Sequence, residues 1–158
     1  MASASKGFTL VELVVVVLLL ALLAATALPR FFNVSPQARI AALENLKGGL
    51  LSGASLANAK CRFTDGCFES GWASGTITSP DGTSGRMYNG YPTSNATAFA
   101  SHITKWVDVT GFVVDTSNNL FTDFFPEGNP GVAGCRLRYH YAVALGQAPD
   151  VVLSTSDC

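Results

Sequence analysis

Glu12 is the residue of this sequence most in need of a chemical explanation. It is the one ionisable group between Phe8 and Leu28, a stretch whose other polar side chains are Thr9 and Thr26. A carboxylate near the centre of a membrane helix costs about 2.5–3.5 kcal/mol, and less near the interface. A charge kept in such a segment is functional by default and needs a partner. Cys61, Cys67, Cys135 and Cys158 are the second group with chemistry to offer. Four cysteines fit export to an oxidising compartment, and they allow three pairings. Zinc is disfavoured, because the C-x5-C spacing of the first two is poor and no histidine is near them.

Other constellations carry less. Asp115, Ser117 and Asn119 begin like a calcium loop, but Leu120 stands where the turn glycine belongs and Pro126 where the bidentate glutamate belongs, with Glu127 one place late. A solvated turn is the better expectation. His102 on a short helix and His140 on the outside of a strand read as ordinary surface histidines. Arg136, Arg138 and Lys105 read as a solvated basic face, and Tyr139, Tyr141, Phe124 and Phe125 as core. Asn95-Ala96-Thr97 fits a glycosylation sequon, which means little in a bacterial export context. No nucleophile elbow, phosphate loop or HExxH motif is present, so no enzyme, catalytic residue, cofactor or metal site is expected. A net charge of −1 gives no reason to expect nucleic acid as a partner.

The elements that position these residues follow from periodicity. Leu13 to Ala25 has no polar side chain, and about twenty apolar residues at ~1.5 Å each span the ~30 Å of a bilayer's hydrocarbon. A secretory signal peptide cut near Leu22–Ala27 is the competing reading, but a general signal peptidase has no need of Glu12. Pro29 is expected to end or kink this helix. A second break is expected at Ser35-Pro36, with serine as N-cap and proline at the first helical position. From Pro36 to about Ala59, Ile40, Leu43, Leu46 and Leu50 recur at helical spacing, with Leu56 and Ala57 continuing loosely. Arg39, Glu44, Asn45 and Lys47 lie off that stripe, and Gly48, Gly49 and Gly53 permit close approach of another element. A continuous helix from Phe8 to Lys60 would be roughly 80 Å long.

Beyond Cys61 the chain reads as loop and short strand. Thr76-Ile77-Thr78 is a strand candidate followed by a turn at Ser79–Gly82. Thr93 or Ser94 would cap a helix presenting Ala96, Phe99, Ile103 and Trp106. Val107–Val109 and Gly111–Val114 look like strand, and residues 115–134 look irregular. Leu137, Tyr139, Tyr141, Val143 and Leu145 alternate with Arg136, Arg138, His140, Ala142 and Ala144 as a half-buried strand. After a turn at Gly146–Pro149, Val151–Leu153 returns. The expected fold is α+β: a long N-terminal helix, half transmembrane and half amphipathic, packed on a small antiparallel sheet.

The amino-terminal stretch Lys6-Gly7-Phe8-Thr9-Leu10-Val11-Glu12-Leu13, the apolar run and Ala24-Ala25-Thr26-Ala27-Leu28-Pro29 resemble the type IV pilins and pilin-like proteins. The resemblance implies that a prepilin peptidase removes residues 1–7 between Gly7 and Phe8 and methylates the new amino terminus of Phe8. It implies that Glu12 pairs with an amino terminus during assembly. It divides the chain into a leader (1–7), a transmembrane and assembly helix (8–29) with kinks at Pro29 and Pro36, an amphipathic helix half (30–60) and a globular head (61–158). Ala21 stands where the family often has glycine, and as the better helix former it opposes melting of the segment to Pro29. Asn89-Gly90-Tyr91-Pro92-Thr93-Ser94-Asn95-Ala96-Thr97, with residues 25–31 and Ala38-Arg39, is similar to the mannose-sensitive haemagglutinin pilins.

The family commonly closes a carboxy-terminal loop by a disulfide, which implies Cys135–Cys158 and leaves Cys61–Cys67. The implied function is a structural subunit of a surface filament used in adhesion or motility. Its partners would be other copies of itself, the prepilin peptidase, an inner-membrane assembly platform, and the inner membrane before assembly. The alternatives are a pseudopilin of type II secretion and, from another class, a membrane-anchored periplasmic enzyme or binding protein.

Overall fold

The computed structural model describes residues 10–32, 34–94, 100 and 102–158, without the side chains of 24–32, 34 and 35. Two helices come first, α1 (Leu10–Phe32) and α2 (Val34–Arg62). Leucine and alanine favour α1, and Pro29 does not end it: the backbone stays helical to Phe32. A proline removes one intrahelical bond, and the rest of the ladder persists around it. Pro36 lies in the first turn of α2, where a missing N–H leaves no intrahelical bond unmade.

The chain divides into two compact units, residues 1–38 and 39–158, so most of α2 belongs with the head. In the second unit Leu43, Leu46, Leu50, Ala54, Ala57 and Cys61 of α2 enter one core with Met87, Ile103, Trp106, Phe124, Leu137, Tyr139 and Val151. The stripe departs from expectation at Leu56, which is exposed, while Ala54 and Ala57 are buried. Small residues are needed there because the chain passes close by. A Cβ on Gly53 would stand 2.8 Å from the Trp106 carbonyl oxygen, and one on Gly49 would stand 3.0 Å from Val107 Cγ2.

The strands are β1 (Ile77–Thr78), β2 (Ser84–Gly85), β3 (Phe112–Asp115), β4 (Phe121–Pro126), β5 (Arg136–His140) and β6 (Val151–Ser154). The expected strand and turn are present, and β2, which was not expected, closes them into a hairpin with Gly82 at φ +84° in its turn. The main sheet runs β3-β4-β5-β6, antiparallel throughout. Its β4 lies in the stretch expected to be irregular. That strand hides from a binary pattern because Thr122 and Asp123 are both buried, so polar and apolar residues do not alternate along it.

Three more expectations change. Val107–Val109 is not a strand; the Asp108 carboxylate accepts from the Thr110 amide at 2.9 Å and makes a turn. The expected helix after Thr93 is, over its described part, a single 3₁₀ turn at Ile103–Lys105, while Ala96 and Phe99 lie outside the described residues. Alternation in β5 stops at His140. Ala142 is then buried and Val143 and Leu145 are exposed, because the chain leaves the ladder after His140 donates to the Asp150 carbonyl.

Disulfides join Cys61 to Cys67 and Cys135 to Cys158, pinning the end of α2 to its following loop and β5 to the chain beyond β6. By loop-closure entropy they contribute about 2.4 and 3.4 kcal/mol. Arg39 donates to the Cys158 carbonyl at 2.9 Å, which ties the start of the second unit to that bridge.

Candidate functional site: the first helix and its acidic turn

Glu12 occupies the first turn of α1, where the positive end of the helix dipole favours a carboxylate. Behind it the large apolar side chains stay exposed, from 46% at Val14 to 67% at Leu22. They surround the helix instead of lining one face. A soluble helix buries a stripe; a helix apolar all round requires an apolar environment on every side. Among the described residues no helix is long and apolar enough to cross a membrane. The described side chains of this run, Leu10–Leu23, measure about 21 Å against ~30 Å of hydrocarbon. The expected span 8–29 extends past them at both ends. Gly7 and Phe8, the expected cleavage and methylation positions, lie outside the described residues.

The remaining candidates serve the head. The expected solvated basic face of β5 is neutralised. Arg138 donates from Nε and Nη2 to the Asp123 carboxylate at 2.7 and 2.8 Å, and Arg136 donates at 3.3 Å. These bonds hold Arg138 above the ordinary arginine pKa, and its guanidinium lies 3.4 Å over the Phe121 ring. Lys105 sits apart in the 3₁₀ turn. His140 is half-buried, edge-on to Phe121.

His102 is not a surface residue. It is 4% exposed, and its Nδ1 accepts from the Thr104 amide, so Nε2 carries the proton toward the Ser94 carbonyl at 3.1 Å. Thr122 Oγ1 donates to the same carbonyl at 3.0 Å. Burial pushes the imidazole below its ordinary pKa; the Ser94 bond opposes this and the Lys105 charge adds to it. The adjacent residues Thr122 and Asp123 of β4 anchor the two buried networks, and no local pattern in the sequence marks them as buried.

Asp115 accepts from the Ser117 amide at 2.9 Å, which holds its carboxyl below the usual carboxylate range. Asn118 caps the Leu120 amide in the same way, so this loop is a run of side-chain-closed turns. Among the described residues no three metal-ligating side chains gather. Tyr139, Phe124 and Phe125 are core, as expected, whereas Tyr141, also expected there, is only half-buried and meets Tyr88 edge-on; the Tyr139 hydroxyl donates to the Pro92 carbonyl at 2.8 Å, and burial pushes it above its ordinary pKa.

Residues 2–28 match the prokaryotic N-terminal methylation motif. The motif is the prepilin-type signal, and it supports a type IV pilin-like or pseudopilin precursor, processed by a prepilin peptidase. The prepilin segment therefore includes Gly7, Phe8 and Glu12 and all of α1 up to Leu28, while the head lies beyond the match. The α+β architecture of an N-terminal helix and a small antiparallel sheet agrees with a pilin fold. No curated protein and no solved structure matches the chain.

Proposed function

We propose that this chain is a structural subunit of a type IV pilus, not an enzyme, stored in the inner membrane and polymerised through α1 into a surface filament. The observation that carries the reading is α1 itself. It is apolar on every face, its side chains are exposed within the chain, and it is led by one carboxylate inside a prepilin-type motif.

Cleavage between Gly7 and Phe8 would create an ammonium group four residues before Glu12. Both charges are costly in a filament core. At ~4 Å and an effective dielectric of ~20 they attract by about 4 kcal/mol, before desolvation is counted. Such a pair sets register, because a misplaced neighbour leaves a charge buried alone. The holding energy comes from apolar burial. Roughly 1,000 Å² of apolar contact at ~25 cal/mol/Å² supplies tens of kcal/mol gross, against the cost of ordering.

The test is amino-terminal mass spectrometry on sheared surface filaments from wild type and Glu12→Ala. The expected wild-type chain begins at N-methyl-Phe8 and is abundant. Glu12→Ala should be cleaved yet remain in the membrane fraction, at least tenfold depleted from filaments. A chain beginning at Met1 or near Pro29 and absent from filaments overturns the proposal. A methylated chain confined to the cell envelope points to a pseudopilin.

A further inference from the structure

Phe63 is 92% exposed, more than any other large apolar side chain among the described residues. It follows Arg62, the last residue of α2. The exposed Leu56 and Ala59 precede it at helical spacing on the same face. The support under the ring is fixed. The Cys61–Cys67 disulfide closes the turn, the Phe63 amide donates to the Lys60 carbonyl at 3.2 Å, and the Thr64 amide donates to the Cys61 carbonyl at 3.1 Å. Arg62 is pinned beside it: Nε donates to Asn58 Oδ1 at 2.9 Å, and the guanidinium lies 4.1 Å over the Phe68 ring. Phe68 packs against the core, so this turn buries one of its two aromatic rings and presents the other to the outside.

The same unit also carries a receptacle. Nearer the start of α2, Ala42, Leu46 and Gly49 line an open groove of about 350 Å³ together with Val107 and Phe112. Asp108 is the one charged side chain among the described residues that line it, and hydrogen bonds from the Thr110 hydroxyl and amide hold its carboxyl below the usual carboxylate range. An apolar cavity of about 150 Å³ already accepts a benzene ring, so a phenyl group fits here with room to spare. Gly49 and Arg62 lie roughly 20 Å apart along α2, further than a phenylalanine side chain reaches. Phe63 therefore cannot fill the groove of its own chain.

We propose that Phe63 of one copy docks in this groove on a second copy, with Arg62 of the first facing Asp108 of the second. Charge complementarity favours this occupant. Lys60, Arg62 and Asp65 leave the surroundings of Phe63 net positive, and the groove offers a carboxylate. The two patches differ, so the contact is head-to-tail and can repeat from copy to copy, where a symmetric pair would end. One phenylalanine buries about 150–250 Å², against at least ~1,200 Å² for a stable interface, so two heads alone associate weakly. The inference rests on the filament reading for its setting. Copies gathered through α1 meet at a high local concentration, where a weak contact is populated, and Phe63 adds a head-borne register to the one set at Glu12.

Photo-crosslinking of the full chain tests the contact. Phe63 is replaced by p-benzoylphenylalanine, and sheared surface filaments and the detergent-solubilised chain are both irradiated. A covalent dimer is expected, its junction at residues 42–49 or 107–112 of the second copy, with a yield roughly tenfold higher in filaments than in detergent. Ala42→Phe fills the groove and should remove that junction while the melting temperature of the head stays the same. Asp108→Asn keeps an acceptor for the Thr110 amide and should lower the yield roughly threefold. A junction in α1, elsewhere in the head or in a different protein overturns the proposal, as does the absence of any dimer. An undiminished junction in folded Ala42→Phe overturns it too. If no filament forms, the filament reading falls by itself, and the junction in the detergent sample decides the contact.

Discussion

The two helices use apolar residues to opposite ends. In α2 the leucines fall on one stripe, and Leu43 and Leu50 are fully buried in the core of their own unit. In α1 leucines and valines fill every face, and Leu18 remains 59% exposed. A stripe on one side is a demand that the chain meets itself. Apolarity on all sides is a demand that only an apolar environment outside the chain can meet. The processing motif sits on the second kind of helix, and the disulfides on the unit that contains the first.

Paired truncations would break this contrast most directly. Leu50→Ala removes a fully buried side chain and should destabilise the head by about 2–5 kcal/mol in urea denaturation. Leu18→Ala should leave the same transition within about 0.5 kcal/mol. Equal losses in the two variants would mean that α1 also contributes to the stability of the head.

α2 and the β5–β6 hairpin were legible in the sequence because a period survives in each, and α1 because its apolar run is unbroken. Helical spacing carried Leu43 to Leu50, and the alternation at Leu137 and Tyr139 carried β5. β4 was not legible, since Thr122 and Asp123 are polar yet buried, and their partners His102, Arg136 and Arg138 are distant in sequence. No local window contains the reason why Asp123 is inside. The edge contacts of Tyr88 with Trp72 and Tyr141 were not legible for the same reason: the three rings come from three segments, joined by the side-chain amide of Asn89.

A smaller effect sharpens the contrast on the outer face of the sheet. Asp123→Ala withdraws the acceptor from Arg138 and Arg136, whose side chains are 22% and 25% exposed and can partly recover water. The cost should be about 1–3 kcal/mol by urea denaturation, below that of Leu50→Ala. Asp123→Asn keeps the shape without the charge and should recover only part of that loss. An Asp123→Ala variant as stable as wild type would show that the pair is a surface contact without weight.

The smallest expected effect separates the units by pH. Both histidines of the chain, His102 and His140, lie in the second unit, and burial lowers the pKa of His102 below 6.5. A base whose folded pKa is depressed binds fewer protons folded than unfolded, so stability falls as pH drops below the unfolded value. The melting temperature of the head should therefore be flat from pH 6.5 up to the approach of the ordinary tyrosine pKa of about 10, and decline below pH 6.5 until the folded pKa of His102 is passed. Protonation would also put a hydrogen on Nδ1, where the Thr104 amide now donates. Asp81, Asp108 and Asp115 are held below 3.8 by hydrogen bonds from Thr83, Thr110 and Ser117. Their contribution is present above that value and is lost only at lower pH, so the histidine decline begins first as the solution is acidified. His102→Gln offers a donor toward Ser94 and cannot titrate, so it should flatten the curve between pH 6.5 and the carboxylate window. A decline of equal size in His102→Gln would trace the effect to another group, and a head that gains stability as pH falls would reverse the sign of the burial argument.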